Sequence, residues 1–503
     1  MTENEKIQYL KAIDFGELDA NADPKLEIYF VDDNYWDRII KHPIYFVIGK
    51  KGTGKSAIYQ YLQKKSIEEG TIIANKDFAD FPSERLTDLA DNNFAKPNQY
   101  QSLWQHVILD IFIDLIMHNQ NADTSGIYYK ELKSYYDVCI GDSINLHKEV
   151  LSSLKKVGHS LELTALGITP SISQENEITK QIGSWDRNIS AINSRLLNIL
   201  YQYFLSREDN SSYIIQFDRL DDTYNQYSDI ENYYHLIISL MKTVYSVNNK
   251  FRIAGLDNIK VIVYLRSDII REIGKFDSES ARWDDYTFII NWAVLNQNDW
   301  RNSALLKMIN KRISTSLGKD ISFYDLFNKQ AINLHIGGIT GAKQDVFKYI
   351  VDKTFHRPRD IIQFCKYIQK EVSETIDIRK INFRNIKNAE KSYTYWLVSS
   401  ELSNEMNPII KDIDLLFELL KSLGKRPFSF TTFKTNYDTI IGNSDMMNPD
   451  KLIEYLYDVG IILNVSRDRN GTLLFRSIIR NNGKVNKNMQ LMIHQGVWIG
   501  LLS

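Results

Sequence analysis

Cysteine is scarce in this chain of 503 residues, which contains only Cys139 and Cys365. Two cysteines cannot form a disulfide framework or a cysteine-rich metal site, and this excludes the small disulfide-stapled secreted domains. Their scarcity fits a reducing compartment. The amino-terminal stretch also lacks the basic start and apolar centre of a secretory signal. We therefore expect a cytoplasmic protein.

Long apolar runs are missing as well. The best candidate, VILDIFIDLIM at 107–117, is interrupted by Asp110 and Asp114. A membrane-spanning helix needs about 18 or more apolar residues in succession. The sequence therefore predicts a soluble protein without a membrane partner.

Neither sign of charge is in excess. The chain has 61 Lys and Arg against 63 Asp and Glu, a net charge of −2. This balance excludes a global attraction to nucleic acid or to an anionic membrane, so any such binding requires a local patch. The length is too great for one hydrophobic core and predicts about three or four domains.

The strongest motif is IYFVIGKKGTGKSAIYQ at 44–60. Gly49, Gly54, Lys55 and Ser56 satisfy the pattern G-x-x-x-x-G-K-[ST]. The apolar run before the motif predicts a buried strand, and the residues after it predict a helix. This is the setting that a phosphate-binding loop requires, and no Asn-Lys-x-Asp motif of a GTPase follows. The sequence therefore predicts a P-loop that binds ATP.

Each residue type in the loop has a physical task. Glycines allow backbone N–H groups to turn towards phosphate at the positive end of the following helix. Lys55 is expected to reach the β- and γ-phosphates, and the Ser56 hydroxyl to ligate Mg²⁺. The predicted nucleotide-contacting residues of the loop are Gly49, Lys50, Gly52, Thr53, Gly54, Lys55, Ser56 and Ala57.

Further apolar runs alternate with helical patterns along the chain. This alternation predicts an α/β fold with a parallel sheet wrapped by helices. The predicted strands are TIIANK at 71–76, SYIIQF at 212–217, IKVIVYL at 259–265 and YTFIINW at 286–292.

Charged residues follow two of these strands and begin one later helix. Asp218 ends the second strand, where ligands of open α/β sheets gather, and is either a metal ligand or a helix N-cap or turn residue. Arg266 ends the third strand as either a γ-phosphate sensor or a solvated strand-end charge. Arg357 and Arg359 flank Pro358 at a predicted helix start. They either contact phosphates or form a helix cap with surface arginines.

Four segments are predicted. Residues 1–42 form a lead-in near the nucleotide base, and 43–300 form the ATPase core with an insertion at about 120–185. Residues 301–400 form a mainly helical lid. Residues 401–503 carry an amphipathic helix at 408–424, a helix at NPDKLIEYLYDVG and a hairpin turn at Asn470-Gly471. The last segment is predicted to be a winged-helix domain.

In this last segment, the acidic residues and the basic residues lie in different parts of the sequence. The helix that would read DNA carries Asp450, Glu454 and Asp458 against Lys451, which suits a major groove poorly. The hairpin region that follows is basic. It is a site of weak, non-specific DNA contact, a solvated hairpin or a protein-docking surface. Its cations are Arg467, Arg469, Arg476, Arg480, Lys484 and Lys487, with Asp468 as the one acid set against them.

Together these motifs resemble the AAA+ and STAND-like P-loop ATPases, most closely the stand-alone bacterial ATPases allied to the KAP and origin-recognition groups. The resemblance rests on IGKKGTGKSAI, DRLDD at 218–222, Arg266 after a strand and RPRDII at 357–362, with FGELDANADPKLEIYFV before the P-loop. It implies an ATP-dependent switch that uses Mg²⁺ and acts through a protein partner or self-assembly. Many such proteins occur in bacterial defence loci.

The resemblance also bears on Arg219, which stands where many ATPases carry a second acid. It implies that Asp218 binds Mg²⁺ with Ser56, and that Asp221 or Asp222 orients the attacking water. Slow hydrolysis suited to a switch is the leading hypothesis. The alternatives are a DNA-binding AAA+ initiator or loader and a non-hydrolysing scaffold that nucleotide stabilises.

We expect the double substitution Asp221→Asn/Asp222→Asn to preserve ATP binding and abolish phosphate release, because the water would lose its orienting carboxylate. Calorimetric titration with ATP and a phosphate-release assay measure the two effects separately. Hydrolysis at the wild-type rate would contradict the assignment of these acids.

Overall fold

The computed structural model describes the chain except for residues 78–99, 141–181, 221–229, 275, 277–279, 294–299, 328–331, 337–338, 377, 408, 443–444, 468–472 and 481–482. The described residues divide into two compact units. The first contains residues 1–31, 52–54 and 291–503, and the second contains residues 32–51 and 55–290. Asp221, Asp222, the Asn470-Gly471 turn and most of the predicted insertion at 120–185 lie outside the described residues.

The strands of the described chain are β1 Phe46–Gly49, β2 Thr71–Asp77, β3 Ser212–Asp218, β4 Ile259–Arg266, β5 Thr287–Ile289, β6 Ile332–Ile336, β7 Ile339–Gln344, β8 Ile462–Arg467, β9 Leu473–Arg476 and β10 Gln490–Ile493. They form three sheets. The first five strands form one sheet, β6 pairs with β7, and the last three form another sheet.

The α-helices of the described chain are α1 Glu3–Ala12, α2 Leu26–Tyr29, α3 Lys55–Glu68, α4 Gln101–His118, α5 Ile127–Cys139, α6 Ile182–Ser206, α7 Ile230–Ile253, α8 Ser267–Ile273, α9 Ala304–Leu317, α10 Phe323–Leu326, α11 Val346–Val351, α12 Pro358–Glu374, α13 Phe383–Trp396, α14 Ser403–Met406, α15 Ile413–Leu423, α16 Phe430–Ile440, α17 Pro449–Asp458 and α18 Gln495–Leu501. None of these described helices is both long and apolar enough to cross a membrane.

The sheet of the second unit has the strand order β2-β3-β4-β1-β5, and all its strands are parallel. The predicted parallel sheet is confirmed, with strands at all four predicted runs. The last strand is shorter than predicted, because β5 pairs only with β1 and that pairing spans Phe46–Ile48. The mixed α/β architecture is consistent with a P-loop NTPase fold.

Helices cover both faces of this sheet. Since successive side chains of a strand point to opposite faces, each strand contributes to two layers. On one face, Ile215 and Phe217 of β3 and Val263 of β4 pack into a core with α4, α6 and α7. On the other face, the Tyr59 ring of α3 meets the Tyr264 ring edge-on at 5.6 Å. Helix α5 also contributes its buried side chains to the first of these layers.

The first unit is built mainly from helices, and its amino-terminal segment belongs to the same core as α9, α12 and α13. The Gln369 side chain donates hydrogen bonds to the carbonyls of Leu10 at 2.9 Å and Ile13 at 2.6 Å. Helix α12 begins at Pro358, as predicted, because proline suits the first turn where N–H groups lack helical partners. The mainly helical character predicted for 301–400 is confirmed by α9 to α13.

The carboxyl-terminal part of the first unit contains α15, α16 and α17, then an antiparallel sheet of order β10-β8-β9. Helix α15 begins five residues later than predicted. Asp412 caps it by accepting a hydrogen bond from the Leu415 N–H at 2.9 Å. The predicted stop at Gly424 and start at Pro449 are both confirmed.

A buried ionic cluster holds the segment FGELDA in the first unit. The Arg312 guanidinium lies 4.0 Å above the Tyr29 ring and 3.6 Å from the Asp23 carboxylate, which also accepts a hydrogen bond from the Tyr29 hydroxyl. Burial, followed by Asp23, raises the pKa of the Tyr29 phenol. Gly16 passes beside this cluster at φ +74°, and a Cβ there would lie 2.1 Å from the Tyr29 hydroxyl.

We expect Gly16→Ala to destabilise the protein more than Gly318→Ala. Both glycines have positive φ, at +74° and +61°, which costs alanine about 1–2 kcal/mol. Only Gly16 adds a collision, since nothing lies within 4 Å of a Cβ at Gly318. Overpacking should add about 1–3 kcal/mol, measured by chemical denaturation of the full chain. Equal losses in the two variants would contradict the described cluster.

Candidate functional site

The loop between β1 and α3 has the conformation that its glycines permit. Gly52 and Gly54 adopt φ values of +76° and +91°, which other residues rarely adopt. Helix α3 then begins at Lys55. The first N–H groups of a helix have no acceptor within the helix, and a phosphate group commonly accepts hydrogen bonds from them.

The Lys55 side chain folds back along the loop. Its Nζ donates hydrogen bonds to the carbonyl oxygens of Gly49 at 3.2 Å and Lys50 at 3.4 Å. Ser56 lies in the first turn of α3 and is half-buried. The ammonium group and the serine hydroxyl therefore both lie at the start of the helix.

Asp218 and Arg266 end neighbouring strands on one face of the sheet. Phe217 of β3 pairs with Val263 of β4, and Gly49 of β1 pairs with Arg266. Alternation then directs Asp218 and Arg266 to the face that α3 covers. Asp218 is buried, at 2% exposure. Since adjacent strands lie about 4.8 Å apart, the backbone of β3 lies about 10 Å from β1.

Arg219 forms an ion pair with a residue that the sequence analysis missed. Its Nη1 lies 3.0 Å from Oδ2 of Asp77, at the end of the neighbouring strand β2. Arg219 has a φ of +62°, so the chain turns sharply after Asp218. Asp77 is the register partner of Asp218. The one available sequence signal was an acid at the end of the predicted strand TIIANK.

Arg266 is held by a second missed residue, Asp268. Its Nε donates to Oδ1 at 3.0 Å and its Nη2 to Oδ2 at 2.6 Å, a bidentate pair. Burial acts to raise the pKa of Asp268. The Arg266 charge, hydrogen bonds and the nearby Lys55 charge outweigh burial and lower that pKa. The carboxylate therefore stays ionised and fixes the plane of the guanidinium.

A chain of buried polar groups lies between α3 and the sheet. The Gln216 amide donates to Oδ1 of Asn75 at 3.0 Å and to the carbonyl of Tyr59 at 3.4 Å, and it accepts from the Tyr264 hydroxyl at 2.5 Å. Burial, followed by the Asp218 charge, raises the pKa of Tyr264. The hydroxyl therefore remains a donor, and the network fixes the strand that carries Asp218. The central glutamine in SYIIQF was its sequence signal.

The two arginines at the start of α12 differ in burial and in their ion-pair partners. Arg357 is 3% exposed and forms a bidentate pair with Asp360, at 3.0 and 2.9 Å. Its Nη1 also lies 3.7 Å from Glu401 and 3.5 Å from Glu405. Burial acts to lower the pKa of Arg357, but these three carboxylates outweigh it and raise the pKa. Arg357 is therefore the centre of an internal ionic network.

Arg359 lies against the tip of the glycine loop, which belongs to the same unit. Its backbone N–H donates to the Gly52 carbonyl at 3.4 Å, and a Cβ at Gly52 would lie 3.1 Å from the Arg359 Cβ. Its Nη1 donates to Glu401 at 3.3 Å. The Trp292 indole donates to the Thr53 carbonyl at 2.8 Å. The loop tip is thus fixed by one residue before α9 and one in α12.

Acidic metal sites are not preassembled in the described chain. Among the residues described, no group of three or more His, Cys, Asp or Glu is placed to hold a metal ion. Asp221 and Asp222 fall within 221–229, outside that description. A divalent ion at this loop would take most of its ligands from phosphate and water, as Mg²⁺ commonly does.

The acidic helix and the basic carboxyl-terminal region are not separate surfaces. Lys487 lies 3.0 Å from Asp450 and 2.8 Å from Glu454 of α17, and Lys434 lies 2.9 Å from Asp450. Lys487 is therefore part of an ion-pair network. Arg467 and Arg476 are exposed at the ends of β8 and β9. Arg469 lies outside the described residues.

The chain was compared with protein families, curated proteins and solved structures. A family model described as the FunZ-associated C-terminal helical domain matches residues 303–401, less than half of the chain. Among solved structures, the ORC2 protein of Aeropyrum pernix in ADPNP and ADP complexes aligns with 10% identity and a TM-score of 0.35, over 89% of this chain and 87% of that chain. No curated protein matches the sequence.

We expect Arg357→Ala to be strongly destabilising and Arg359→Ala to be mild. Removing Arg357 leaves the Asp360 carboxylate, which is 0% exposed, without its guanidinium partner, at a cost of about 3–5 kcal/mol. Arg359 is partly exposed, and its pair with Glu401 should contribute about 1 kcal/mol or less. Chemical denaturation of the two variants makes the comparison. A larger loss for Arg359→Ala would contradict the structural role of Arg357.

Proposed function

We propose that this protein binds ATP with Mg²⁺ and hydrolyses it slowly, as a conformational switch of the AAA+ type. The observation that carries the proposal is the loop of residues 50–54, which joins a buried central strand to α3. Lys55 lies over the loop carbonyls, and Asp218 ends a nearby strand on the face that α3 covers. Few arrangements other than phosphate binding require this combination of strand, loop, lysine and helix.

The residues present fit a magnesium-bound triphosphate. Loop glycines in the left-handed region bring N–H groups close together without side chains between them, which suits phosphate oxygens. Lys55 would exchange its carbonyl partners for phosphate oxygens, because a charge-assisted bond to phosphate is stronger than a bond to a carbonyl. Ser56 and Asp218 would hold Mg²⁺, which neutralises phosphate charge when it is bound.

The remaining charged residues divide into contacting and supporting roles. Arg266, oriented by Asp268, is proposed to sense the γ-phosphate. Arg359 is the better candidate of the two α12 arginines for a phosphate contact, since it adjoins Gly52 while Arg357 is surrounded by carboxylates. Arg357 then acts by fixing the start of α12. Asp77 is paired with Arg219. This pairing supports the assignment of the water-orienting role to Asp221 or Asp222 and not to Asp77.

The first unit is proposed to supply the responsive parts of the switch. Residues 301–400 would act as a helical lid, through the contacts of α12 with the loop tip. The three helices α15 to α17 followed by a three-stranded antiparallel sheet have the plan of a winged helix. The pairing of Lys487 with the acids of α17 supports protein docking over specific DNA reading there. A partner protein or self-assembly would receive the signal.

We expect Lys55→Ala to weaken ATP binding at least about tenfold, because one charge-assisted bond to phosphate is lost. Lys64→Ala is the matched control, since Lys64 is an exposed lysine of the same helix. Asp218→Asn should bind ATP normally without Mg²⁺ but lose the gain in affinity that Mg²⁺ gives, together with phosphate release. Calorimetry with and without Mg²⁺ and a phosphate-release assay measure these effects.

Wild-type affinity in Lys55→Ala would overturn the proposed site. Tight ATP retention by the wild type without any phosphate release would instead favour the nucleotide-stabilised scaffold. An unchanged response to Mg²⁺ in Asp218→Asn would remove Asp218 from the metal site.

A further inference from the structure

A cavity of about 660 Å³, largely open to solvent, lies in the second unit against the carboxyl-terminal half of α7. The residues that matter to its chemistry are Tyr201, Lys242, Tyr245, Asn249, Lys250 and Arg282. Among the described residues that line it, none carries a carboxylate. Asp284 and Asp285, which follow Arg282 closely in sequence, are not among them. A volume of this size accommodates a small organic ligand.

Cations and aromatic rings are paired around this cavity. The Lys250 ammonium lies 5.3 Å from the centre of the Tyr201 ring, and the Arg282 guanidinium lies 5.5 Å from that of Tyr245. Both tyrosines are half-buried, so each presents part of a ring beside a positive charge. The Asn249 amide adds hydrogen-bonding groups, and its Oδ1 also accepts a hydrogen bond from Nη2 of Arg252 at 3.0 Å.

The rings continue beyond the cavity as a row. Tyr245 meets Tyr286 edge-on at 5.2 Å, and Tyr286 stacks on Tyr45 at 4.8 Å with an interplanar angle of 7°. The Arg252 guanidinium lies 5.6 Å from the Tyr286 ring. The cavity therefore adjoins this row of aromatic rings, and a second arginine lies beside the row.

This position is separate from the glycine loop. Tyr45 immediately precedes β1, Tyr286 precedes β5, and α7 ends shortly before β4 begins at Ile259. All three therefore lie at the amino-terminal edge of the parallel sheet. The glycine loop, Asp218 and Arg266 lie at the carboxyl-terminal edge. Nucleotide at the loop and a ligand in this cavity would occupy opposite ends of the strands.

We propose that this cavity binds a second nucleotide unit, either a free nucleotide or one nucleotide of a single strand. The phosphate would lie against Lys250 and Arg282, with Lys242 in reach. The base would stack on the Tyr245 or Tyr201 ring, and the Asn249 amide would bond a base edge. Cations alternating with rings are the combination that single-stranded nucleic acids require. A carboxylate-rich peptide would use the cations but leave the rings without a stacking partner.

The experiment uses the full chain carrying Lys55→Ala, without Mg²⁺, so that the glycine loop contributes little. The probe is a fluorescein-labelled oligothymidylate of about ten nucleotides, a length within the usual range for one binding fold. Fluorescence anisotropy follows its binding. Thymidine monophosphate, a duplex of equal length and oligoglutamate serve as competitors.

Lys250→Glu/Arg282→Glu should abolish binding, and Tyr245→Ala should weaken it about tenfold. The charge-matched control is Lys64→Glu/Lys130→Glu, which reverses two exposed lysines of the same unit and should leave binding unchanged. If two phosphates are neutralised, log K should fall with log salt with a slope of about −1.4. Lys250→Gln/Arg282→Gln should reduce that slope towards zero. This variant replaces Lys250→Glu/Arg282→Glu in the test if the charge-reversed protein fails to fold.

The competitors separate the sources of the ligand. Displacement by thymidine monophosphate assigns the site to free nucleotide, and binding that only the single strand displaces assigns it to a strand. Equal displacement by oligoglutamate, equal loss in the control variant, or no binding of the probe to this protein would each overturn the proposal. Because these measurements exclude the glycine loop, they stand or fall independently of ATP binding there.

Discussion

The pairing of β1 on both of its edges is the constraint on which the candidate site depends. β4 and β5 hydrogen-bond to the two edges of β1, and the whole strand is buried. The loop that follows therefore starts from a fixed point and direction. β4 also pairs with β3, so the same ladder fixes Arg266 and Asp218 relative to Gly49. A loop of glycines has little rigidity of its own, and the buried sheet supplies it.

Ion pairs and polar bonds then orient the charged side chains around this framework. Asp268 fixes Arg266, Asp77 engages Arg219, and the chain of amide and hydroxyl groups under α3 supports β3. Pairs that are partly exposed, such as Arg219 with Asp77, contribute little stability. Such pairs act by orienting the two charged side chains. Arg357 differs, because it is buried among carboxylates. Its removal would leave their negative charges uncompensated in the low-dielectric interior.

The two edges of the sheet carry different chemistry. Glycines, a lysine and an acid at the carboxyl-terminal edge suit triphosphate and metal. Tyrosines beside lysine and arginine at the amino-terminal edge suit a base and a phosphate. Helix α7 spans between these edges, because its first residue follows the segment after β3 and its last precedes β4.

The sequence by itself determined the features that depend on neighbouring residues. The strand before the glycine loop, the helix after it, the starts of α12 and α17 at prolines and the end of α15 at a glycine all follow from local backbone preferences and periodicity. So does the parallel sheet, because buried strands alternate with helices. These elements could be predicted, since each is specified within one short segment.

Only the tertiary structure decided the partners of the charged residues. Arg219 and Asp77 are 142 positions apart, and they meet because β2 pairs with β3. The different surroundings of Arg357 and Arg359 likewise depend on Glu401 and Glu405. The ion pairs of Lys487 depend on the packing of α17. The tyrosine row depends on three strand starts coming to one edge. Strand order and helix packing set these distances, and no local pattern encodes them.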